Sequence, residues 1–203
     1  MIILLFLLLF AILFLYMIKP GGKRFSGFPV KQFAHRGLYG GNIPENSIAA
    51  FRNAREKGFG VELDVRFTKD KRLVVFHDDN LQRLCNEDKN VCDLTYDELL
   101  KYTLSGTKEI IPLFSEALKE LDNVPLICEI KSYPGEMEEE LCKAVCCEID
   151  SYKGFTCIES FNPFVLRWLK KNRPDIIRGQ LSMNFIKSRE KLGFLRAFFM
   201  THL

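Results

Sequence analysis

A parallel (β/α) barrel with its chemistry gathered at one rim is the fold class this sequence predicts, on three observations. Strand-like and helix-like apolar runs alternate with a regular beat from residue 32 to residue 181, the pattern of a parallel sheet with helices outside. The run at 61–67 carries Val61, Leu63, Val65 and Phe67 at its odd positions and Glu62, Asp64 and Arg66 at its even ones. Side chains alternate across a strand, so one face is wholly apolar and the other wholly charged. An open sheet covered by helices on both sides would want apolar residues on both faces. Finally, four short polar clusters each close an apolar run: AHRG at 34–37, ELD at 62–64, HD at 77–78 and EIK at 129–131. Charges converging inward at strand ends suit a barrel rim.

Taken in chain order, residues 2–18 contain no charge, Pro or Gly and approach the length of a bilayer-spanning helix, about 17–25 residues. A secretory signal is the rival reading, but it wants a positive leader and a small-residue cleavage site, and here Met1 alone precedes the run. The expectation is a single-pass membrane anchor over 1–18 and a Gly/Pro/Lys linker over 19–30. The domain then spans 31–203. Lys19, Lys23, Arg24 and Lys31 follow the anchor, which puts the domain on the cytoplasmic side. Within it, strands are expected at 32–34, 61–67, 73–76, 126–130, 155–159 and 176–181. Helices are expected at 47–57 with Asn46 as N-cap and Gly58 as C-cap, at 95–102 capped by Asp93 or Thr95, and at 115–121, 136–149 and 163–171.

The chain's 203 residues, 47% of them hydrophobic, suffice for one substantial domain plus an appendage. A net charge of +3 from 29 basic and 26 acidic residues, without a basic stripe, argues against a nucleic-acid partner. Seven cysteines, an odd number without framework spacing, read as free thiols of a reducing compartment. Cys142 and Cys146 lie one helical turn apart, as metal ligands can. Leu141, Val145 and Ile149 lie among them, which favours buried small hydrophobes.

Glu62 and Asp64 project to one side of a strand, about 7 Å apart by strand rise. Glu129 ends another strand on its inward face. Carboxylates buried together repel, and a hard divalent cation, Mg²⁺ or Ca²⁺, is the natural resolution. The competing reading pairs them with Arg66 and Lys131 on the same faces. His35 and His77 each end a strand beside these carboxylates, where imidazole serves proton transfer near neutral pH; His202 has no such context. Arg36 can fork two donors onto a phosphate, and Lys131 can add a point charge.

The polar clusters belong to a longer ordered series: His35-Arg36-Gly37, Pro44-Glu45-Asn46-Ser47, Ala50-Phe51, Glu62-Leu63-Asp64, Thr68-Lys69-Asp70, residues 74–78, Leu81, Arg83, Asp93-Leu94-Thr95, Glu98-Leu99, Ile111-Pro112-Leu113 and Glu129-Ile130-Lys131. With Ser160-Phe161-Asn162 and Arg173-Pro174 it reaches about residue 181. In this series the chain resembles the glycerophosphodiester phosphodiesterase family. The resemblance implies a TIM-type barrel that hydrolyses glycerophosphodiesters to sn-glycerol 3-phosphate and an alcohol. It implies His35 and His77 as the acid/base pair, Glu62, Asp64 and Glu129 as ligands of a divalent cation, Arg36 and Lys131 as phosphate holders and Glu45 as support. It further implies attack by the substrate's own glycerol hydroxyl, giving a cyclic phosphate that is then hydrolysed.

The family's barrel continues through two further strands. After the strand at 176–181, counted as the sixth, the remaining residues cannot hold two βα units of roughly 30 residues each. The expectation is a barrel truncated after its sixth strand, either because the chain is a fragment or because the barrel is incomplete. Residues 194–200 form an apolar stretch, read as a core helix or as a face meeting membrane or a second chain. Two functional classes follow: an anchored hydrolase acting on a soluble diester or a lysophospholipid, and a non-catalytic protein that binds the diester. Within hydrolases, a sphingomyelinase D-like barrel phosphodiesterase is the neighbouring alternative; the Thr68-Lys69-Asp70 and Asp93-Leu94-Thr95 stretches favour the glycerophosphodiester assignment.

Overall fold

A computed structural model describes residues 5, 7–12, 27, 29–132 and 138–181. The chain divides into two compact units, Met1–Gly27 with Leu181–Leu203, and Phe28–Gln180. In the first, Leu5 and residues 7–12 are helical and exposed, and among the described residues no helix is long and apolar enough to cross a membrane. Most of the expected anchor over 1–18, most of the linker over 19–30 and the whole of the apolar stretch 194–200 lie outside the described residues.

The larger unit is built on one sheet. Its strands are β1 Phe33–His35, β2 Gly60–Phe67, β3 Leu73–Val75, β4 Leu126–Ile130, β5 Thr156–Ser160 and β6 Ile177–Gln180. The path β1-β2-β4-β5-β6 is parallel at every step, and β3 hangs off it, antiparallel to β2. Parallel neighbours that follow chain order without reversal wind in one direction, as in a (β/α) barrel and unlike a doubly wound sheet. One expectation is corrected here. The run at 73–76 is a strand, but it is the return arm of a hairpin turning at Thr68–Arg72, so β6 is the fifth parallel strand of the sheet, not the sixth.

The helices are α1 Ile48–Glu56, α2 Gln82–Cys85, α3 Tyr96–Leu99, α4 Phe114–Leu121, α5 Glu138–Ile149 and α6 Pro163–Asn172. Four of them cover the apolar face of the sheet. Val61, Leu63 and Val65 of β2 and Leu126, Cys128 and Ile130 of β4 share one core with Phe51, Ala54, Ala117, Leu121, Leu141, Val145, Val165 and Leu169. Because the helices take the odd positions of β2, its even positions are left on the opposite face, as the alternation predicts. All eight residues of β2 are nonetheless buried, its three charged residues included. Cys128, Cys142, Cys146 and Cys157 are buried and all seven cysteines are free, in keeping with their reading as small hydrophobes.

The crossover from β2 to β4 is long, and it carries a second small core of Val74, Phe76, Leu81, Leu84, Val91, Tyr96, Leu99, Leu104 and Ile111. Thr95 caps α3 in a reciprocal capping box with Glu98, the better of the two caps the sequence offered. The cap of α1 is Ser47, whose hydroxyl accepts from the Ala50 amide, and not Asn46, which sits in the left-handed region at φ 52°. The short α2 and the 3₁₀ turns Val91–Asp93 and Leu104–Gly106 carry too little periodicity for the sequence to announce them.

Two predictions concern this frame. Gly37 turns the chain after β1 at φ +79°, and a Cβ there would stand 2.8 Å from the Ala50 Cβ. Gly37→Ala combines backbone strain with overpacking and should cost at least about 2 kcal/mol in denaturant unfolding. Glu148 on α5 has a buried Oε2 without a hydrogen-bond partner among the described residues. Burial pushes its carboxyl up to about 7, against a weaker downward pull from Arg72. The folded chain then keeps a proton that the unfolded chain releases near 4.5. The stability this contributes is full below that value and is lost as the pH rises towards 7. Glu148→Gln should flatten the decline, as read by thermal unfolding across that window.

Candidate active site

The sheet's parallel register assembles the site. Paired residues on adjacent parallel strands point to the same face, and His35 pairs with Glu62 while Asp64 pairs with Glu129. The ends of β1 and β4 and the middle of β2 therefore deliver one imidazole and three carboxylates to a single patch. Glu62, Asp64 and Glu129 are all buried and offer ligand oxygens within 4.8 Å of one another. Nothing in the sequence separates these three positions from ordinary charged residues except their alternation and strand-end placement.

The electrostatics of the trio ask for a cation. Burial, then the neighbouring Asp64 charge, pushes the Glu62 carboxyl up to about 8. Burial also raises Glu129 despite the adjacent Lys131 ammonium. Asp64, fully buried, goes the other way. Burial opposes its ionisation, but Lys131, His77 and a hydrogen bond from Asn46 outweigh it and hold the carboxyl below its usual range. Lys131 Nζ lies 2.7 Å from Glu129 Oε1 and 3.1 Å from Asp64 Oδ1. The second contact is an ion pair, and that Asp64 oxygen has no hydrogen-bond partner among the described residues. One ammonium, with the Arg36 guanidinium 3.5 Å from Asp64, leaves three clustered carboxylates short of positive charge. A buried, all-oxygen set of three carboxylates fits a hard divalent ion. The competing reading is thus half realised: Lys131 does pair with the carboxylates, and Arg66 does not.

Arg66 does something the sequence does not disclose. Buried to 2% exposure, it donates from Nε to the Phe76 carbonyl at 3.0 Å, from one terminal nitrogen to the His77 carbonyl at 2.6 Å, and from the other to Asp79 at 2.7 Å. The Phe76 amide in turn donates to the Asp64 carbonyl. These bonds pin the segment carrying His77 onto β2. Asp78 Oδ1 lies 2.7 Å from His77 Nδ1. Burial raises the Asp78 carboxyl, yet hydrogen bonds from His77 and Arg83 prevail and hold it well below the usual carboxylate range. An ionised carboxylate only accepts, so Nδ1 carries the proton and Nε2 is the nitrogen left for the site.

His35 is the last residue of β1 and its side chain is 65% exposed, with Nε2 3.9 Å from Glu62 Oε2. Partial burial and the Arg36 guanidinium lower its pKa, so the ring is neutral at pH 7. Arg36 adopts φ 58°, which turns its amide onto Glu62 Oε2 at 3.0 Å. Its guanidinium donates to Glu45 at 2.8 Å and stands 3.5 Å from Asp64. Its Nε, the atom that faces Asp64, is buried without a hydrogen-bond partner among the described residues. Glu45 is buried between Arg36 and Arg83. Burial raises its carboxyl, but the hydrogen bonds from the two guanidinium groups win and lower it.

The structure thus brings together His35, Arg36, Glu45, Glu62, Asp64, His77, Glu129 and Lys131, the residues singled out from the sequence. It adds three that sequence reasoning placed elsewhere or passed over: Asn46, read as a helix cap, whose Nδ2 donates to Asp64 Oδ2 at 2.8 Å; Asp78, on His77; and Arg66, read as a partner of the carboxylates. A fourth, Glu159, pairs in register with Glu129 and so joins the same row. Burial and the Glu129 charge push it up to about 7. The Ser160-Phe161-Asn162 stretch, by contrast, fixes strand ends: Ser160 donates to the Ile130 carbonyl, and Asn162 caps α6 while donating to Ser132. Asn46→Ala should therefore weaken the hold on Asp64 at a buried site, at a cost of about 1–3 kcal/mol in denaturant unfolding.

Comparison with known proteins converges on one family. Residues 35–191 match the model of the glycerophosphoryl diester phosphodiesterase family. A glycerophosphodiester phosphodiesterase from Caldanaerobacter subterraneus is 38% identical over 161 residues, covering 73% of this chain and 65% of the relative. A human lysophospholipase D is 37% identical over 117 residues, 51% of this chain and 37% of the relative. Among solved structures, a phosphodiesterase from Oleispira antarctica in complex with the product sn-glycerol-3-phosphate superposes with a TM-score of 0.69 at 31% identity, covering 75% of this chain and 66% of that one. The chain thus spans just under two thirds of the length of the first and last of these.

Proposed function

This chain belongs to the glycerophosphoryl diester phosphodiesterase family, and on that premise we propose that it hydrolyses glycerophosphodiesters to sn-glycerol 3-phosphate and an alcohol with the help of a divalent cation. The observation that carries the reading is the convergence of three buried carboxylates, with oxygens within 4.8 Å of one another, beside two strand-end histidines. A non-catalytic binding protein would have no need of both imidazoles.

In this reading Glu62, Asp64 and Glu129 hold the cation, Mg²⁺ or Ca²⁺, and Lys131 and Arg36 hold phosphate oxygens. The bound ion supplies Lewis-acid neutralisation of charge at phosphorus. One imidazole of the His35/His77 pair takes the proton of the attacking hydroxyl and the other gives one to the leaving alkoxide. Asp78 keeps the His77 ring in the tautomer that presents Nε2, and Glu45 keeps Arg36 extended over Asp64. The parallel strands belong, in the same proposal, to a TIM-type barrel. The proposal retains a membrane anchor over 1–18 and the linker over 19–30, with the barrel domain over 31–203 on the cytoplasmic side, on the strength of the uncharged run and the basic residues after it.

The substrate class is tested by offering glycerophosphocholine and lysophosphatidylcholine side by side and measuring choline release. Turnover of the first and not the second is expected. The reverse outcome would favour a lysophospholipase D-type enzyme, the second reading that the human relative supports. Release from neither by a folded, cation-loaded chain would sink both.

A further inference from the structure

Arg83 is used by nothing in the mechanism above, yet it stands at the junction of the two segments that carry the histidines. It projects from α2, whose flanks are anchored by Leu81 and Leu84 in the second core. Its Nε donates to Asp78 Oδ2 at 2.6 Å, and its two terminal nitrogens grip both oxygens of Glu45 at 2.9 and 2.6 Å. Asp78 continues to His77 Nδ1 at 2.7 Å and Glu45 continues to Arg36 at 2.8 Å. A single guanidinium therefore links the imidazole after β3 to the guanidinium after β1, through one carboxylate on each side. Three of the five N–H donors of Arg83, one on each nitrogen, are taken up by these two carboxylates.

We propose that Arg83 is a positioning residue, a strut that sets His77 through Asp78 and Arg36 through Glu45 at the same time. The proposal rests on the hydrolase reading for its kinetic consequences, but the geometry it claims is independent of turnover. The planar fork is what allows three oxygens on two carboxylates to be held at once. A lysine keeps the charge and loses the fork. Without the strut, Asp78 keeps its hydrogen bond to His77 but loses its counter-charge and its fixed direction, and Glu45 is left with Arg36 alone.

The test uses the full chain and four variants: Arg83→Met, Arg83→Lys, Asp78→Asn and Glu45→Gln. Arg83→Met should lower kcat for glycerophosphocholine about ten- to hundredfold and raise KM several-fold, with Arg83→Lys recovering only part of either. Coupling is the discriminating result. In an Asp78→Asn background the kcat loss from Arg83→Met should nearly vanish while the KM effect persists. In a Glu45→Gln background the KM effect should vanish instead. Losses that multiply independently in both backgrounds would overturn the strut, since a general stability role gives that outcome.

A second readout needs no activity. The chain has three histidines, so the ring ¹⁵N signals of His77 are assignable by NMR. Wild type should show the Nδ1–H tautomer, and Arg83→Met should shift it towards a mixture. An unchanged His77 ring with kcat within twofold of wild type would refute the proposal. A wild-type chain that turns over no diester, but whose His77 ring responds to Arg83→Met, would remove the hydrolase reading and support the strut.

Discussion

His77→Ala is expected to lower kcat on glycerophosphocholine by two to four orders of magnitude while leaving cation binding intact. The separation follows from where the ring is held. His77 is tied to Asp78 through Nδ1 and to Arg66 through its own carbonyl, and neither partner is one of the three clustered carboxylates. Removing the imidazole leaves that carbonyl, so the segment stays pinned to β2. His35→Ala should also abolish most turnover, but less cleanly. The His35 ring lies 3.9 Å from Glu62, and its loss bares one side of the carboxylate patch. Initial rates together with calorimetric titration of Mg²⁺ or Ca²⁺ check both claims. Full activity of both alanine variants would refute the acid/base assignment.

The second large effect is a pair of opposite signs at two neighbouring carboxylates. Glu62→Gln should weaken the divalent cation at least about a hundredfold and at the same time raise the thermal midpoint of the chain in chelator. Asp64→Asn should weaken the cation equally and lower that midpoint. Both remove one negative charge from one cluster, so a simple charge count predicts one sign. The environments decide otherwise. Glu62 is buried against Asp64 and is driven up to about 8, so an amide of the same shape relieves the patch and still accepts the Arg36 amide. Asp64 stands opposite the Lys131 ammonium and the Arg36 guanidinium and accepts from Asn46. Its neutralisation leaves two part-buried cations short of a partner, which is the costly way to break such a pair. Thermal unfolding with and without cation reads both. A common sign in chelator would contradict this account of the trio.

Much of the site was legible because a strand's two-residue period says which side chains share a face. Glu62 and Asp64 follow from that alone, and Glu129 follows once 126–131 is read as a neighbouring strand. Nothing in the alternation gives register, yet the pairing of Asp64 with Glu129 is what turns three acids into one patch. The direction of β3 was hidden for a related reason: a three-residue apolar run reads alike whichever way it pairs. The cue was the turn before it, where Lys71 takes φ 60° and the Thr68 hydroxyl donates to Asp70. Thr68-Lys69-Asp70 thus serves the hairpin and not the chemistry.

The remaining gaps are long-range contacts of short polar residues. Asn46 is a good N-cap by composition, but Ser47 beside it takes that role, which frees the Asn46 amide for a carboxylate 18 residues away. Arg66 alternates onto the charged face as expected, then reaches past the acids to carbonyls across the hairpin. Local pattern predicts a side chain's face; it does not predict how far a long side chain travels along that face, and at this site that reach determines where His77 sits.

The measurement closest to the central claim is release of sn-glycerol 3-phosphate from glycerophosphocholine by the full chain, before and after chelation and with Mg²⁺ or Ca²⁺ restored. The account predicts turnover that chelation abolishes and one of the two ions brings back. Turnover indifferent to chelator, or a folded chain that binds neither ion and releases no product, would contradict it.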